Sequence, residues 1–430
     1  MIRAHARLWA ALAVALVIGL GPIGADDATA SSSVRYGVQD DAWLEHGPGT
    51  LSSRLEELQA LGVDVVRYTV RWDQVSQRQP RRPRDPTDPA YDWGRVDSVL
   101  LGLRRHGIAP LVTLYGTPRW ANRGRPPNVA PTSGTAFARF ARAAATRYGW
   151  VRLWTVWNEP NQATWLRPTS ASTYVRKLLN PAYAQIRAAI PGARIGGGVT
   201  AARGGSAGVA PVPWIRAMGR LGARLDAYAH HPYPSHPRTD TPWSPACPHC
   251  ATLTMADLER LRREVRRHLG PKRIWLTEYG YQTNPPDQLL GISPALQAER
   301  MTSASRRVYL EPTVDLLVFF LVRDDSAPHG WQSGLYTASG ARKPAHTAFR
   351  APLMQTSRTG ATVGVWGQVR PGSGRRPYRL RLYERGRWTW LGGTRRTDAR
   401  GFITATVQAS PGSLLQVWSP QGRSLTLRVT

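Results

Sequence analysis

Between residues 34 and 355, short apolar runs alternate with amphipathic stretches eight times. A run of four to eight apolar residues reads as a buried strand, and apolar positions at helical spacing read as a helix that covers it. The pattern predicts strands over 34–38, 63–70, 108–115, 151–157, 194–199, 227–231, 273–278 and 314–322. Helices are predicted over 51–61, 92–106, 135–148, 171–190, 212–221, 255–269, 294–309 and 343–353, with Pro181 kinking or breaking the fourth. Eight strand–helix pairs is the count of a (β/α)8, or TIM, barrel, and residues 31–356 are long enough to form one. After residue 357 the pattern changes to short alternating runs divided by Gly, Pro and Ser, as in Tyr378-Arg379-Leu380-Arg381-Leu382-Tyr383. Residues 357–430 therefore read as a small all-β accessory module, either packed on the barrel or binding a glycan.

In Val151-Arg152-Leu153-Trp154-Thr155-Val156-Trp157-Asn158-Glu159-Pro160 an apolar run leads into an amide and an acid. Pro160 cannot donate to a ladder and stops the strand, leaving Glu159 at its carboxyl edge. Arg273-Ile274-Trp275-Leu276-Thr277-Glu278-Tyr279-Gly280 repeats the layout. Barrels of this type place their chemistry at the carboxyl ends of the strands. Strands four and seven face one another across the mouth, so the two carboxyl groups can approach each other. Paired carboxylates, one giving a proton and one attacking or holding water, are what glycosidic cleavage requires. Ion-paired rim residues are the alternative reading of the same two acids.

These motifs resemble the retaining (β/α)8 glycoside hydrolases of clan A, over residues 34–355. The resemblance implies Glu159 as acid/base and Glu278 as nucleophile. It implies that Asn158 binds the sugar 2-hydroxyl, that Arg67 orients the nucleophile, and that His231 and Tyr233 contact substrate and nucleophile. Tyr115-Gly116-Thr117-Pro118-Arg119-Trp120-Ala121-Asn122 resembles family 39, which would make Trp120 a substrate residue, whereas the stretch around strand two resembles the cellulase-like family 5. The end of strand eight departs from the clan: it reads Phe319-Phe320-Leu321-Val322-Arg323-Asp324 where a Trp is usual, and Trp331 in the next loop is the expected substitute. The implied mechanism is double displacement, with no metal and no organic cofactor. A non-catalytic secreted polysaccharide- or envelope-binding protein on a barrel scaffold is the alternative.

The net charge is +29, and lysine occurs only as Lys177, Lys272 and Lys343, so nearly all of the 57 basic residues are Arg. Charge of this size suits an acidic glycan or envelope polymer, and equally a solvated basic surface. No zinc finger, basic helix or Arg/aromatic repeat supports nucleic acid as a partner. The basic loop from Gln79 to Arg84 is a candidate cleft wall. Sugar, linkage, exo or endo action and oligomeric state are not legible.

Residues 1–30 read as a signal peptide: Arg3, His5 and Arg7, an apolar run from Leu8 to Leu20, and the small-x-small site Ala28-Thr29-Ala30. The run is short for a membrane span. The expectation is a secreted or envelope-associated protein with no stable span after cleavage. Cys247 and Cys250, the only cysteines, lie in a Pro-rich loop and are expected to form a small disulfide. A redox motif or a zinc site with His249, His236 or His268 is the alternative.

Overall fold

The computed structural model of the chain describes residue 31, residues 34–244, residue 247, residues 250–327 and residues 329–430. The signal-peptide expectation falls outside the described residues. Eight parallel strands close into a barrel: β1 (Arg35–Gln39), β2 (Val65–Arg71), β3 (Ala109–Tyr115), β4 (Leu153–Val156), β5 (Arg194–Ala201), β6 (Ala227–His231), β7 (Arg273–Tyr279) and β8 (Val314–Phe320). The (β/α)8 expectation is met.

Local chemistry starts several of the covering helices. Thr50 and Ser53 form a reciprocal capping box at Leu51–Leu61, and Ser293 caps Pro294–Tyr309, whose proline occupies the first turn. The charged helix Leu258–Leu269 buries Leu258, Leu261 and Val265 on one stripe. The expected helix over 171–190 is not regular. Its middle, Tyr174–Leu179, widens into a π-helical turn directly before Asn180–Ala189, whose first turn holds Pro181. A proline has no N–H to give the preceding turn, and a wider turn accommodates the gap.

Period-2 alternation stacks the barrel interior in layers. Val65, Leu111, Leu153, Ala227, Ala229, Trp275 and Leu316 belong to one buried apolar cluster drawn from the strands. Two residues further along β2, β3 and β4 stand Arg67, Thr113 and Thr155, all fully buried. Apolar packing thus gives way to a polar layer as the strands approach their carboxyl ends.

The last expected helix is shorter than the pattern suggested. It runs from Pro344 to Arg350, and Leu353 already opens β9 (Leu353–Thr359). Beyond it lie β10 (Thr362–Gln368), β11 (Pro377–Glu384), β12 (Arg387–Trp390), β13 (Arg395–Arg396), β14 (Phe402–Gln408), β15 (Leu414–Ser419), β16 (Gly422–Arg423) and β17 (Leu427–Arg428). One antiparallel sheet has the order β14-β10-β9, and a second has β12-β11-β15-β16. Their own core holds Val363, Leu380, Leu382, Ile403, Leu415 and Val417.

This module packs on the barrel at the amino-terminal ends of the strands. Trp366 and Phe402 lie 5.5 and 4.5 Å from the ring of Tyr309, and Arg370 stacks 4.0 Å over Tyr36 and donates to Phe349 O at 2.8 Å. Arg400 donates to the carbonyl of Val34. Gly62 makes the close approach possible: it holds φ 78°, and a Cβ there would come within 2.7 Å of the Arg370 Cβ.

Candidate active site

β4 ends at Val156, and the chain then turns sharply. Trp157 and Glu159 take φ of 71° and 37°. Such values are unfavourable for residues with a Cβ and persist only where surroundings hold them. Trp157 N–H donates to Leu114 O at 2.8 Å, and its indole donates to Trp165 O at 2.8 Å. The buried amide of Asn161 accepts from Ala201 N at 2.9 Å and donates to Val209 O at 2.8 Å, fastening the turn to the end of β5. The result aims Glu159 across the mouth.

Glu278 reaches the same place by a register change. Trp275 faces the barrel interior, so strict alternation would send Glu278 outward. The pairing of β7 with β8 shifts between Leu276 and Tyr279, and Glu278 faces inward instead.

Arg67 is the hub between them. Its guanidinium donates to Glu278 Oε1 and Gln39 Oε1, to Asn158 Oδ1 at 2.7 Å and to Thr113 Oγ1 at 3.0 Å. It is fully buried, so the ion pair with Glu278 is poorly screened. Tyr233 donates its hydroxyl to Glu278 Oε2 at 3.3 Å. Burial first, then the two carboxylates, raises the Tyr233 pKa well above its ordinary value and keeps the phenol a donor.

His231 follows Ala227 and Ala229 in the alternation and also points inward. Its Nδ1 lies 2.9 Å from Glu159 Oε1 and 3.6 Å from Glu278 Oε2. Burial lowers its pKa to about 3, so the ring is neutral. Its Nε2 is buried with no hydrogen-bond partner among the described residues. A buried orphan N–H is rarer than an unused lone pair, so the proton is assigned to Nδ1, facing the carboxylates. The Glu159 carboxyl is raised to about 7, first by burial, with Arg67, a hydrogen bond from Trp165, and Arg203 pulling the other way.

One oxygen each from Glu159 and Glu278 and a nitrogen of His231 all lie within 4.8 Å of one another. Such a triad has donors a divalent cation could use. Here the Arg67 guanidinium already supplies fixed positive charge to Glu278, which fits a carboxylate pair better than a metal cradle.

The two acids open into a cavity of about 840 Å³. Its walls include Arg71, Tyr115, Trp165, Arg203, Phe320 and Trp331. Trp331 is 42 % exposed and packs against Tyr233 at 5.4 Å and Phe320 at 5.5 Å. A buried ion pair supports its loop: Lys343 Nζ donates to Asp324 at 3.0 and 3.1 Å, to Thr283 Oγ1 at 2.9 Å and to Gln332 O at 3.0 Å.

Glu159, Glu278, Asn158, Arg67, His231, Tyr233 and Trp331 are thus brought together. Trp120 is not. Its indole donates to Ser76 O at 2.7 Å and its ring meets Trp72 edge-on at 5.5 Å, away from the cavity walls. The basic loop from Gln79 to Arg84 also stays clear of the cavity. Asp41 and Glu45, from the short helix Asp41–His46 after β1, do line it. Sequence reading missed that helix because six residues hold too few turns to show periodicity. It also missed Asp40, which accepts from Val322 N at 3.2 Å and Arg323 N at 3.1 Å and ties the β1 end to the loop after β8. Cys247 and Cys250 are joined in the expected disulfide.

No family model matches the chain, and no curated protein matches it by sequence. Solved structures do match. A GH39 enzyme from Xanthomonas axonopodis pv. citri superposes with TM-score 0.55 at 16 % identity, over 91 % of this chain and 95 % of that one. A glucosidase from Croceicoccus marinus gives 0.58 at 13 %, over 90 % and 98 %. A family 39 glycoside hydrolase from Bacteroides cellulosilyticus gives 0.56 at 17 %, over 89 % and 80 %. At these identities the likeness is one of fold.

Proposed function

We propose that the chain is an exported retaining glycoside hydrolase. The observation that carries this reading is the approach of Glu159 and Glu278 oxygens to within 4.8 Å at the floor of an 840 Å³ cavity. Retaining enzymes hold their carboxyl groups about 5–5.5 Å apart, and inverting ones wider, to admit a water.

Glu278 is the nucleophile. Arg67 and Tyr233 each donate to one of its oxygens and so fix the carboxylate in place. Glu159 is the general acid. His231 Nδ1–H holds Oε1, which leaves Oε2 to carry a proton toward the leaving oxygen. Glu278 attacks the anomeric carbon as that proton transfers, forming a glycosyl-enzyme. Glu159, now ionised, takes a proton from water as the water attacks, and the bond to Glu278 breaks. Asn158, with its Oδ1 taken by Arg67, presents its amide N–H2 toward the sugar 2-hydroxyl.

Fold likeness to family 39 enzymes supports the glycoside as substrate. Export is supported by the signal-like residues 1–30 and by the disulfide, a bond that persists in oxidising compartments.

The test is hydrolysis of aryl glycosides and polysaccharides by the mature chain beside Glu278→Gln, with product anomers read by NMR. Sugar release with retained configuration, lost in the variant, is expected. Binding of a glycan without release by the wild type would instead favour the scaffold reading. Mass spectrometry of exported protein reads the expected cleavage after Ala30.

A further inference from the structure

The outer face of the sheet β12-β11-β15-β16 carries a ladder of indoles and guanidinium groups. Cross-strand pairing sets Arg381 beside Trp390, Tyr383 beside Trp388, Arg379 beside Trp418 and Trp418 beside Arg423. The inward residues of the same strands, Leu380, Leu382, Leu415 and Val417, are the module core, so the ladder faces solvent. Arg379 stacks 4.0 Å over Trp390, and Arg381 stacks 4.2 Å over Trp388 and 4.5 Å over Trp418. Trp388 and Trp390 remain 36 % and 45 % exposed.

The charge on this face is not balanced from within. From Arg358 onward the chain has thirteen Arg against two acids, Glu384 and Asp398. Both acids are engaged: Glu384 accepts from Ser410 N at 2.8 Å and from Ser413 Oγ, and Asp398 accepts from Arg400 N and Phe402 N at 2.8 Å each. Arg381 uses its Nε and Nη2 on Gln416. Its pKa is lowered, first by burial and then by the neighbouring charge of Arg423. Among the described residues, Arg379, Arg381 and Arg423 form no ion pair with a carboxylate. Stacking on an indole holds a guanidinium plane in place, and among the described residues Arg379 and Arg423, unlike Arg381, make no side-chain hydrogen bond that would occupy the N–H edge a bidentate oxyanion needs.

We infer that this face binds an acidic polysaccharide, a chain of sugars bearing carboxylates at regular intervals, and holds the barrel on it. The choice of a sugar backbone rests on the glycosidase reading of the barrel. The anionic character stands on the ladder alone. The ladder suits other polyanions less well. Single-stranded nucleic acid needs free ring faces for its bases, and here a guanidinium already lies over each of Trp388, Trp390 and Trp418. Duplex DNA is read by a helix or ribbon entering a groove, whereas this face is an open sheet. A bilayer needs an apolar wedge, and the indoles here alternate with charge. The ladder lies in a module docked at the opposite end of the barrel from Glu159 and Glu278, so substrate can occupy both at once.

The test is affinity electrophoresis of the full mature chain in gels containing polygalacturonate, with neutral xylan, duplex DNA and phosphatidylglycerol vesicles as comparators. Wild type is expected to bind polygalacturonate and not xylan, and Arg379→Gln/Arg423→Gln to weaken that binding about tenfold or more. Arg423→Gln alone, at an exposed site, should give a smaller loss in the same direction, and melting curves check that each variant is folded. Glu278→Gln should bind as wild type, so failure of hydrolysis and failure of this inference read separately. Absence of polygalacturonate binding, equal binding by the Arg variants, equal binding to xylan, or tighter binding to DNA or vesicles would each overturn it.

Discussion

Nδ1 of His231 stands 2.9 Å from Oε1 of Glu159, with Glu278 Oε2 further off at 3.6 Å. A neutral imidazole thus sets the orientation of an acid that burial has already raised to about 7. The arrangement separates two tasks. Burial supplies the proton affinity, and the ring supplies the aim.

His231→Ala should therefore damage proton delivery more than substrate binding. The expected loss in kcat is on the order of 10²-fold for glycosides with poor leaving groups. It should be much smaller for activated aryl glycosides, which leave without help, and KM should change little. Equal losses across a leaving-group series would contradict an orienting role.

Glu159 should also define the alkaline limb. In the proposed mechanism Glu159 must be protonated to act, so cleavage should fall as pH rises through about 7. The same shift has a stability consequence. A carboxyl whose folded pKa lies above its unfolded value favours the fold below the unfolded pKa, and that contribution disappears as pH climbs to the folded one. The melting temperature of Glu159→Gln should therefore gain on wild type between about pH 4.5 and 7 and hold that advantage above. Thermal scans across that range would read it, and a constant gap would contradict the raised value.

Replacing Arg67 by Met leaves Glu278 buried without its cation. Breaking a buried pair from one side costs about 3–5 kcal/mol, and here the Gln39, Thr113 and Asn158 contacts go as well. Denaturant unfolding should register that loss, and activity should vanish even in protein that stays folded. Arg67→Lys should not rescue it, because a point charge cannot serve four partners in the plane of a guanidinium.

Trp331 and Lys343 should separate by readout. Trp331→Ala removes an exposed aromatic wall and should raise KM a few-fold, in line with about 0.5–1.5 kcal/mol for an aromatic contact, with stability unchanged. Lys343→Met strands the buried carboxylate of Asp324 and should lower stability and raise KM together, because the loop carrying Trp331 loses its anchor.

The sequence made the barrel legible because most strands are short runs dominated by apolar residues, as in Leu153–Val156 and Val314–Phe320, and because helices such as Leu258–Leu269 bury one apolar stripe. Glu159, Glu278 and His231 were legible because strand ends are where such folds collect polar side chains. What was hidden has physical reasons. The inward turn of Glu278 comes from a register shift between β7 and β8, a property of two strands that neither shows alone. The strained backbone at Trp157 and Glu159 is imposed by partners far along the chain, such as Ala201 and Val209 through Asn161. Trp120 misled because a Trp beside a cleft motif looks the same whether its ring meets sugar or, as here, Trp72. The Arg ladder was hidden because β11, β12 and β15 each show only alternation, and the stacking arises when their registers combine.

Arg400 grips the carbonyl of Val34, and Arg370 covers Tyr36, so the last stretch of the chain clamps the first barrel strand. β1 pairs with β8, the last strand of the ring, so the first strand must wait for the eighth to close the barrel and for the module to hold it. A chain cut back to about residue 350 would keep Glu159, Glu278 and the pairing of β1 with β8, but the start of β1 would lose its contacts with Arg400 and Arg370. Protease sensitivity near Val34 should be greater in that shortened chain than in the full one.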